Sequence, residues 1–113
     1  MAIFMPSSTV TLGKHPKFDG VMFAPVVQRE DGQGISVSFL EISPGVEIPI
    51  HTHAEEADSI YVISGNGFAY VNGKWQEIRA GDYILVPKGE EHGVKNSGET
   101  PLSLFIVHCP PLF

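Results

Sequence analysis

Four residues whose types suit metal binding are the chemically most informative part of this sequence. His51 and His53 lie two positions apart in a segment with apolar neighbours. On an extended strand, residues i and i+2 point to the same face, about 6.5–7 Å apart along the chain. Because each metal–nitrogen bond is about 2 Å long, both imidazoles can converge on one ion. Asp58, at the start of the next extended segment, and His92, after the Pro87–Gly89 turn, are candidates for completing the site.

This donor set restricts the metal. Three neutral imidazoles and one carboxylate suit Fe(II), Mn(II), Ni(II), Zn(II) or Cu(II), whereas calcium and magnesium favour oxygen shells. The predicted cofactor is therefore one divalent transition metal. A His-x-His pair alone is weak evidence, since most histidines are structural or exposed. Glu55 and Glu56, in the turn beside Asp58, are rival donors of the carboxylate.

The sequence predicts short β-strands as the elements that position these residues. Gly and Pro together account for 21 residues and punctuate many short apolar segments, which favours an all-β sandwich or barrel. Asn72-Gly73 is a strong two-residue hairpin signal. The candidate strands are Met22–Val27, Ile35–Ile42, Val46–His51, Ser59–Ser64, Gly67–Val71, Lys74–Glu77, Tyr83–Val86, His92–Asn96 and Leu102–His108.

One domain is expected. Residues 1–20 form a leader in which Thr9–Leu12 could add a short strand at an edge or across a partner subunit, and residues 21–113 form the barrel.

Two segments of the sequence resemble the two conserved motifs of the cupin superfamily. The first contains Gly45, His51, His53, Asp58 and Gly65, and the second runs from Gly81 through Pro87, Gly89 and His92 to Asn96. Fifteen residues separate the two motifs, a spacing similar to that of small cupins. The resemblance implies a double-stranded β-helix, or jelly-roll, barrel. It also implies that His51, His53 and His92 are metal ligands.

Asp58 departs from the family pattern, which has Glu at this position. Asp is shorter by one methylene, so its carboxylate could bind the metal after a small backbone shift, act through a water, or orient a histidine. Asp58 is preferred over Glu55 and Glu56 because its register places it at the motif position.

Composition excludes several classes of partner. The formal net charge is −6, and seven Lys and Arg are scattered singly, so no nucleic acid and no anionic membrane surface is expected as a partner. One cysteine, Cys109, precludes an internal disulfide and is expected to be buried. With no recognisable secretion signal or spanning segment, a cytoplasmic protein is expected. Apolar residues near both ends of the sequence, Ile3–Met5 and Leu112–Phe113, predict a homodimer.

A metal-binding barrel of this kind would take a small-molecule ligand. The locally positive ion favours small anionic or chelating oxygenated compounds, and the resemblance implies an enzyme of dioxygenase, isomerase or lyase type. A non-catalytic binding or sensing module is the alternative, and a purely structural metal site ranks below both. His15 is expected to be exposed. The expected barrel-lining residues are Phe39, Glu41, Ile60, Phe68, Tyr83, Phe105 and His108.

Overall fold

The computed structural model describes residues 1–113. Its regular elements are ten strands and two short 3₁₀ turns. The turns are Ser7–Thr9 and Arg29–Asp31. The strands are β1 (Gly13–Lys14), β2 (Val21–Val27), β3 (Ser36–Ile42), β4 (Glu47–His51), β5 (Ala57–Ser64), β6 (Asn66–Val71), β7 (Lys74–Arg79), β8 (Tyr83–Val86), β9 (His92–Lys95) and β10 (Leu102–Cys109). All nine expected strands are present with ends within two residues of those predicted.

The strands form two antiparallel sheets. The larger has the order β1-β2-β3-β10-β5-β8, and the smaller has the order β4-β9-β6-β7. From β3 onwards the chain passes back and forth between the two sheets, with only β6 and β7 consecutive in one sheet. It therefore winds as a double-stranded β-helix, and the expected jelly-roll fold is confirmed. No helix has the length and apolar character that crossing a membrane would require.

The core lies between the sheets and follows from strict alternation along the strands. In β3 and β10 every second residue is buried, from Ser36 to Ile42 and from Leu102 to His108. Side chains at i and i+2 of a strand share one face, so these residues point inward together. The buried core cluster comprises Val21, Leu40, Ile42, Ile48, Ile60, Val62, Ala69, Ile78, Val94, Leu102, Leu104 and Ile106.

The expected lining of the barrel was wrong at several positions. Phe39 and Phe105 pair directly across β3 and β10 with ring centroids 5.2 Å apart, but they lie on the outer face of the larger sheet. Glu41 has the same parity as Phe39, and Tyr83 is 59% exposed. Phe68 alternates with buried Gly67 and Ala69 and packs beneath the Lys95 ammonium. Phe105 and His108 are three positions apart, so one strand cannot turn both inward.

The leader supplies an edge strand, but not at Thr9–Leu12. The two-residue strand β1 pairs with Phe23 and Met22 of β2. Ile3 and Phe4 are exposed, whereas Leu112 and Phe113 are partly covered by their own chain. The Leu112 N–H donates to Ser36 Oγ (2.9 Å). Leu112 and Phe113 therefore give no support to a homodimer, which stays a prediction that light scattering would check.

Cys109 is exposed, so the expectation that it is buried was wrong. Cys109 is the last residue of β10 and follows the inward-facing His108, so its side chain points to the opposite, outer face of the sheet.

Tight backbone geometry shapes the smaller sheet. Asn72 and Gly73 have φ values of 53° and 79°, as a type I′ hairpin requires. At Gly67, β6 approaches its neighbours so closely that a Cβ would overlap the Lys95 carbonyl oxygen and crowd Leu102. Glycine is needed at position 67 for space.

We expect Gly67→Ala to destabilise the protein by about 1–3 kcal/mol, because overpacking forces the backbone to shift. Gly13→Ala is the matched control, since a Cβ at Gly13 meets nothing within 4 Å. Urea unfolding of both variants measures the difference. Equal stability of the two variants would show that the β6–β9 contact is not tight.

Candidate metal centre

Two of the predicted ligands are held in place by strand pairing. His51 at the end of β4 lies opposite His92 at the start of β9, and their ring centroids are 4.3 Å apart. The Nδ1–H of His51 donates to the carbonyl oxygen of Pro49 (2.7 Å), and that of His92 donates to the carbonyl oxygen of Glu90 (3.0 Å). A backbone acceptor on Nδ1 fixes the ring and directs Nε2 towards the site, an arrangement common among metal-ligating histidines.

The third histidine lies in the loop that leads from the smaller sheet to the larger one. The backbone N–H of Gly89 donates to the His53 carbonyl oxygen at 2.7 Å. This bond fastens the turn preceding His92 to the segment that carries His53. The His53 ring is 4.9 Å from that of His51 and 5.1 Å from that of His92, centroid to centroid. The three imidazoles therefore converge, as the sequence predicted.

Asp58 brings a carboxylate to the same point from the larger sheet. It lies on β5, paired with Val86 of β8 on one side and His108 of β10 on the other, and is 5% exposed. Its Oδ2 is 3.1 Å from Nε2 of His92, 3.3 Å from Nε2 of His108 and 3.8 Å from Nε2 of His53. Burial would raise the pKa of Asp58, but hydrogen bonds from His108 and His92 outweigh it and lower the pKa far below its usual range. The group is an ionised carboxylate.

The pKa of His92 shifts in the opposite direction from the pKa values of His51 and His53. Burial lowers the pKa of His51 and of His53, and neighbouring histidines lower both further. At His92, burial also lowers the pKa, but the hydrogen bonds to Asp58 and to the Glu90 carbonyl prevail and raise it above its ordinary value. Two imidazoles are thus neutral and ready to bind an ion at neutral pH, and the third competes for a proton.

The cluster is compatible with a metal ion. The ligand atoms of His51, His53 and His92 lie within 4.8 Å of one another, and so do those of His53, Asp58 and His108. Asp58 Oδ1 is buried and has no hydrogen-bond partner, which leaves the carboxylate with spare donor capacity. Buried imidazole and carboxylate donors around one point fit a divalent transition metal.

The four predicted site residues are therefore brought together, and their assignment as ligands stays a prediction. Glu55 is exposed and Glu56 half-buried, and neither belongs to the clustered groups. This geometry favours Asp58 as the source of the carboxylate. The sequence interpretation left His108 out of the ligand set, although it flagged a polar side chain inside the barrel. The alternation along β10 was the signal that would have placed it.

A cavity of about 250 Å³ opens above the cluster. Aliphatic residues from both sheets contribute to its wall, among them Leu40, Ile48, Ile60, Val94, Leu104 and Ile106. Lys17 and Phe18 of the leader and Phe113 also line it. Lys17 is exposed, whereas Phe18 and Phe113 are half-buried, so Lys17 lies where the cavity meets solvent. The leader thus belongs to the site, which sequence reasoning missed.

His15 likewise lines the cavity and is half-buried, so the expectation that it is exposed was wrong. Its Nδ1 accepts a hydrogen bond from the Lys17 backbone N–H at 3.0 Å, and its ring is 4.9 Å from that of Phe18. Burial and the Lys17 charge lower the pKa of His15. Aromatic packing holds this part of the leader against the barrel.

A two-sheet jelly roll with a buried histidine–carboxylate cluster beneath an apolar cavity defines a small barrel protein with a candidate metal site. The family model described as "Cupin domain" matches residues 38–108, more than half of the chain. The protein belongs to the cupin family.

Several known proteins are similar to this chain. The chain is 34% identical over 68 residues to an oxalate-binding protein of Thermotoga maritima, covering 60% of this chain and 56% of that one. It is 32% identical to auxin-binding protein ABP19b of Prunus persica, over 79% of this chain and 45% of that one. The chain therefore spans about half the length of these two relatives. A crystal structure of a predicted oxalate decarboxylase from Thermotoga maritima superposes with a TM-score of 0.86 at 26% identity, covering 96% of this chain and 99% of that one.

The Asp58–His92 pair makes metal-free stability depend on pH. The lowered pKa of Asp58 stabilises the folded protein at pH values above the carboxyl pKa of the unfolded chain, about 3.9. That stabilisation is lost as the pH falls from this value through the folded pKa. The raised pKa of His92 stabilises the folded protein at pH values below the histidine pKa of the unfolded chain, about 6.5. That stabilisation is lost as the pH rises through the folded pKa. We therefore expect Asp58→Asn to destabilise the metal-free protein most between about pH 4 and 6.5. Urea unfolding in chelator at several pH values checks this, and a pH-independent difference would contradict the pairing.

Proposed function

We propose that this protein binds one divalent transition metal on His51, His53 and His92, with Asp58 as the fourth donor, and uses it to bind a small chelating carboxylate. The convergence of the buried imidazoles and the Asp58 carboxylate on one point carries the proposal. Such an ion supplies Lewis acidity and, if it is redox-active, electron transfer. The chain itself orients His51 and His92 through backbone carbonyls and excludes water with aliphatic side chains.

The cavity supports a compact anionic ligand. Its volume of about 250 Å³ admits only a small molecule, and most of its polar lining residues belong to the histidine–Asp58 cluster. Lys17 places a cation at the opening, 5.6 Å from the Phe18 ring centroid. Its positive charge also lowers the pKa of His51, after burial and His92. A dicarboxylate such as oxalate, which can chelate an ion through two oxygens, meets these requirements, and the oxalate-binding relative supports the choice.

We further propose that the bound compound is transformed, so that the protein is an enzyme of decarboxylase (lyase) or dioxygenase type. A non-catalytic binding module is the second candidate. It is supported by the name of the oxalate-binding relative and by a cavity wall that offers few proton-transfer groups beyond the histidines. Carbon dioxide release from oxalate and oxygen uptake, each measured with the metal-loaded protein, separate the two. Tight binding with unchanged oxalate and no oxygen uptake would favour the binding module.

Replacing the predicted ligands tests the metal site. We expect His51→Ala and His92→Ala to abolish stoichiometric metal, because each removes a pre-oriented nitrogen donor, and Asp58→Ala to weaken binding by less. Elemental analysis of protein purified without chelator measures the content. Glu55→Ala is the matched control, since this neighbouring carboxylate is exposed. Full metal content in His51→Ala and His92→Ala would end the proposal, and loss in Glu55→Ala would reassign the carboxylate.

Replacing Lys17 tests the ligand class. We expect Lys17→Met to weaken oxalate binding to the metal-loaded protein by about 2–5-fold, the equivalent of one exposed ion pair. Isothermal titration calorimetry measures the Kd. Lys14→Met is the control, because Lys14 is an exposed lysine of the same leader outside the cavity lining. An equal loss in both variants would indicate a general effect of charge and not contact at the opening.

A further inference from the structure

His108 is a buried histidine that the proposed ligand set does not use. It lies on β10 directly opposite Asp58 of β5 and is 5% exposed. Its Nε2 is 3.3 Å from Asp58 Oδ2. Its ring is 5.4 Å from that of His53 and 5.9 Å from that of Phe113, centroid to centroid, with near edge-to-face angles. Strand pairing and packing on both sides thus hold the ring in the site.

The other nitrogen of His108 indicates what the residue does. His108 Nδ1 is buried and has no hydrogen-bond partner. If Nε2 bound an ion, the neutral ring would carry its proton on Nδ1, and a buried N–H would be left without an acceptor. Buried orphan N–H groups are rare because they are costly. With the proton on Nε2, Nδ1 is a bare lone pair and Nε2–H donates to the carboxylate.

His51 and His92 show the opposite arrangement, which makes the contrast specific. Their Nδ1 atoms each have a backbone carbonyl acceptor, at 2.7 and 3.0 Å. These two rings are built to carry a proton on Nδ1 and to present Nε2 to an ion. The ring of His108 is built to keep its proton on Nε2, facing Asp58.

We propose that His108 is a positioning residue that donates its Nε2–H to Asp58 Oδ2 and holds this carboxylate at the metal site without binding the ion itself. In the metal-free protein, His92 is the second donor to Oδ2. An ion on His92 would take the place of that proton, and His108 would remain the donor that fixes the carboxylate. The role in metal binding rests on the proposed function, whereas the protonation pattern of His108 does not.

The protonation pattern is tested on the metal-free protein by ¹⁵N-resolved NMR of the imidazole nitrogens. We expect the ring proton of His108 on Nε2, with a bare Nδ1, and the ring proton of His51 on Nδ1. A His108 protonated on Nδ1 alone would overturn the proposal. This readout needs no metal and stands even if the wild-type protein binds none, a result that would refute only the proposed function.

The positioning role is tested by Co²⁺ titration of substituted proteins. We expect His108→Leu to weaken Co²⁺ binding by about 10–100-fold, as loss of a group supporting a ligand does. His108→Gln places an amide N–H where Nε2 was and should restore both the Kd and the visible Co²⁺ spectrum to near wild type. Urea unfolding of the metal-free variants checks that each is folded.

A double substitution distinguishes a His108 that holds Asp58 in position from a His108 that binds the ion itself. If His108 acts through Asp58, the Asp58→Ala/His108→Leu protein should bind Co²⁺ no more weakly than Asp58→Ala alone. If His108 is a ligand, the two losses should multiply and His108→Gln should change the Co²⁺ spectrum. Multiplied losses, or an unchanged Kd in His108→Leu, would overturn the proposal.

Discussion

The buried carboxylate of Asp58 is the interaction on which the site depends. It lies at the meeting point of histidines from three separate stretches of chain, and its hydrogen bond with His92 helps to raise the pKa of that histidine. An isolated carboxylate in this position would be expensive to bury. Its hydrogen bond with His92 and the contact with His108 Nε2 at 3.3 Å offset that cost, so the carboxylate and the imidazoles keep one another in place. The barrel supplies the geometry, because β5 lies between β10 and β8 and carries Asp58 to the centre.

Much of the fold follows from local sequence. Asn72-Gly73 marks a hairpin because only a few residues tolerate positive φ, and short apolar runs between Gly and Pro mark strands. The order of the strands in the two sheets does not follow from these signals, because pairing between distant strands leaves no local pattern. The two cupin motifs supplied that information. The start of β5 and the end of β7 were placed two residues short, because backbone pairing with neighbouring strands extends beyond the apolar run: Ala57 pairs with Cys109, and Arg79 pairs with Asn66.

The site was predictable to the extent that its residues lie in those motifs. His51, His53, Asp58 and His92 were found by spacing and come together in the structure. His108 lies outside the motifs, and only the alternation along β10 places it inside. The same alternation excludes Phe105, so the two could not both line the barrel. Lys17 and His15 could not be placed, because a leader without periodicity gives no indication of where it packs.

The cluster also joins the two sheets of the barrel. His51 and His92 belong to β4 and β9 of the smaller sheet, while Asp58 and His108 belong to β5 and β10 of the larger one. An ion held by His51 and His92 on one sheet and by Asp58 on the other would act as a cross-link between the sheets, and its binding energy would stabilise the folded barrel against unfolding. Occupancy and resistance to proteolysis would then be coupled, so a cell short of the metal would also clear the empty barrel sooner.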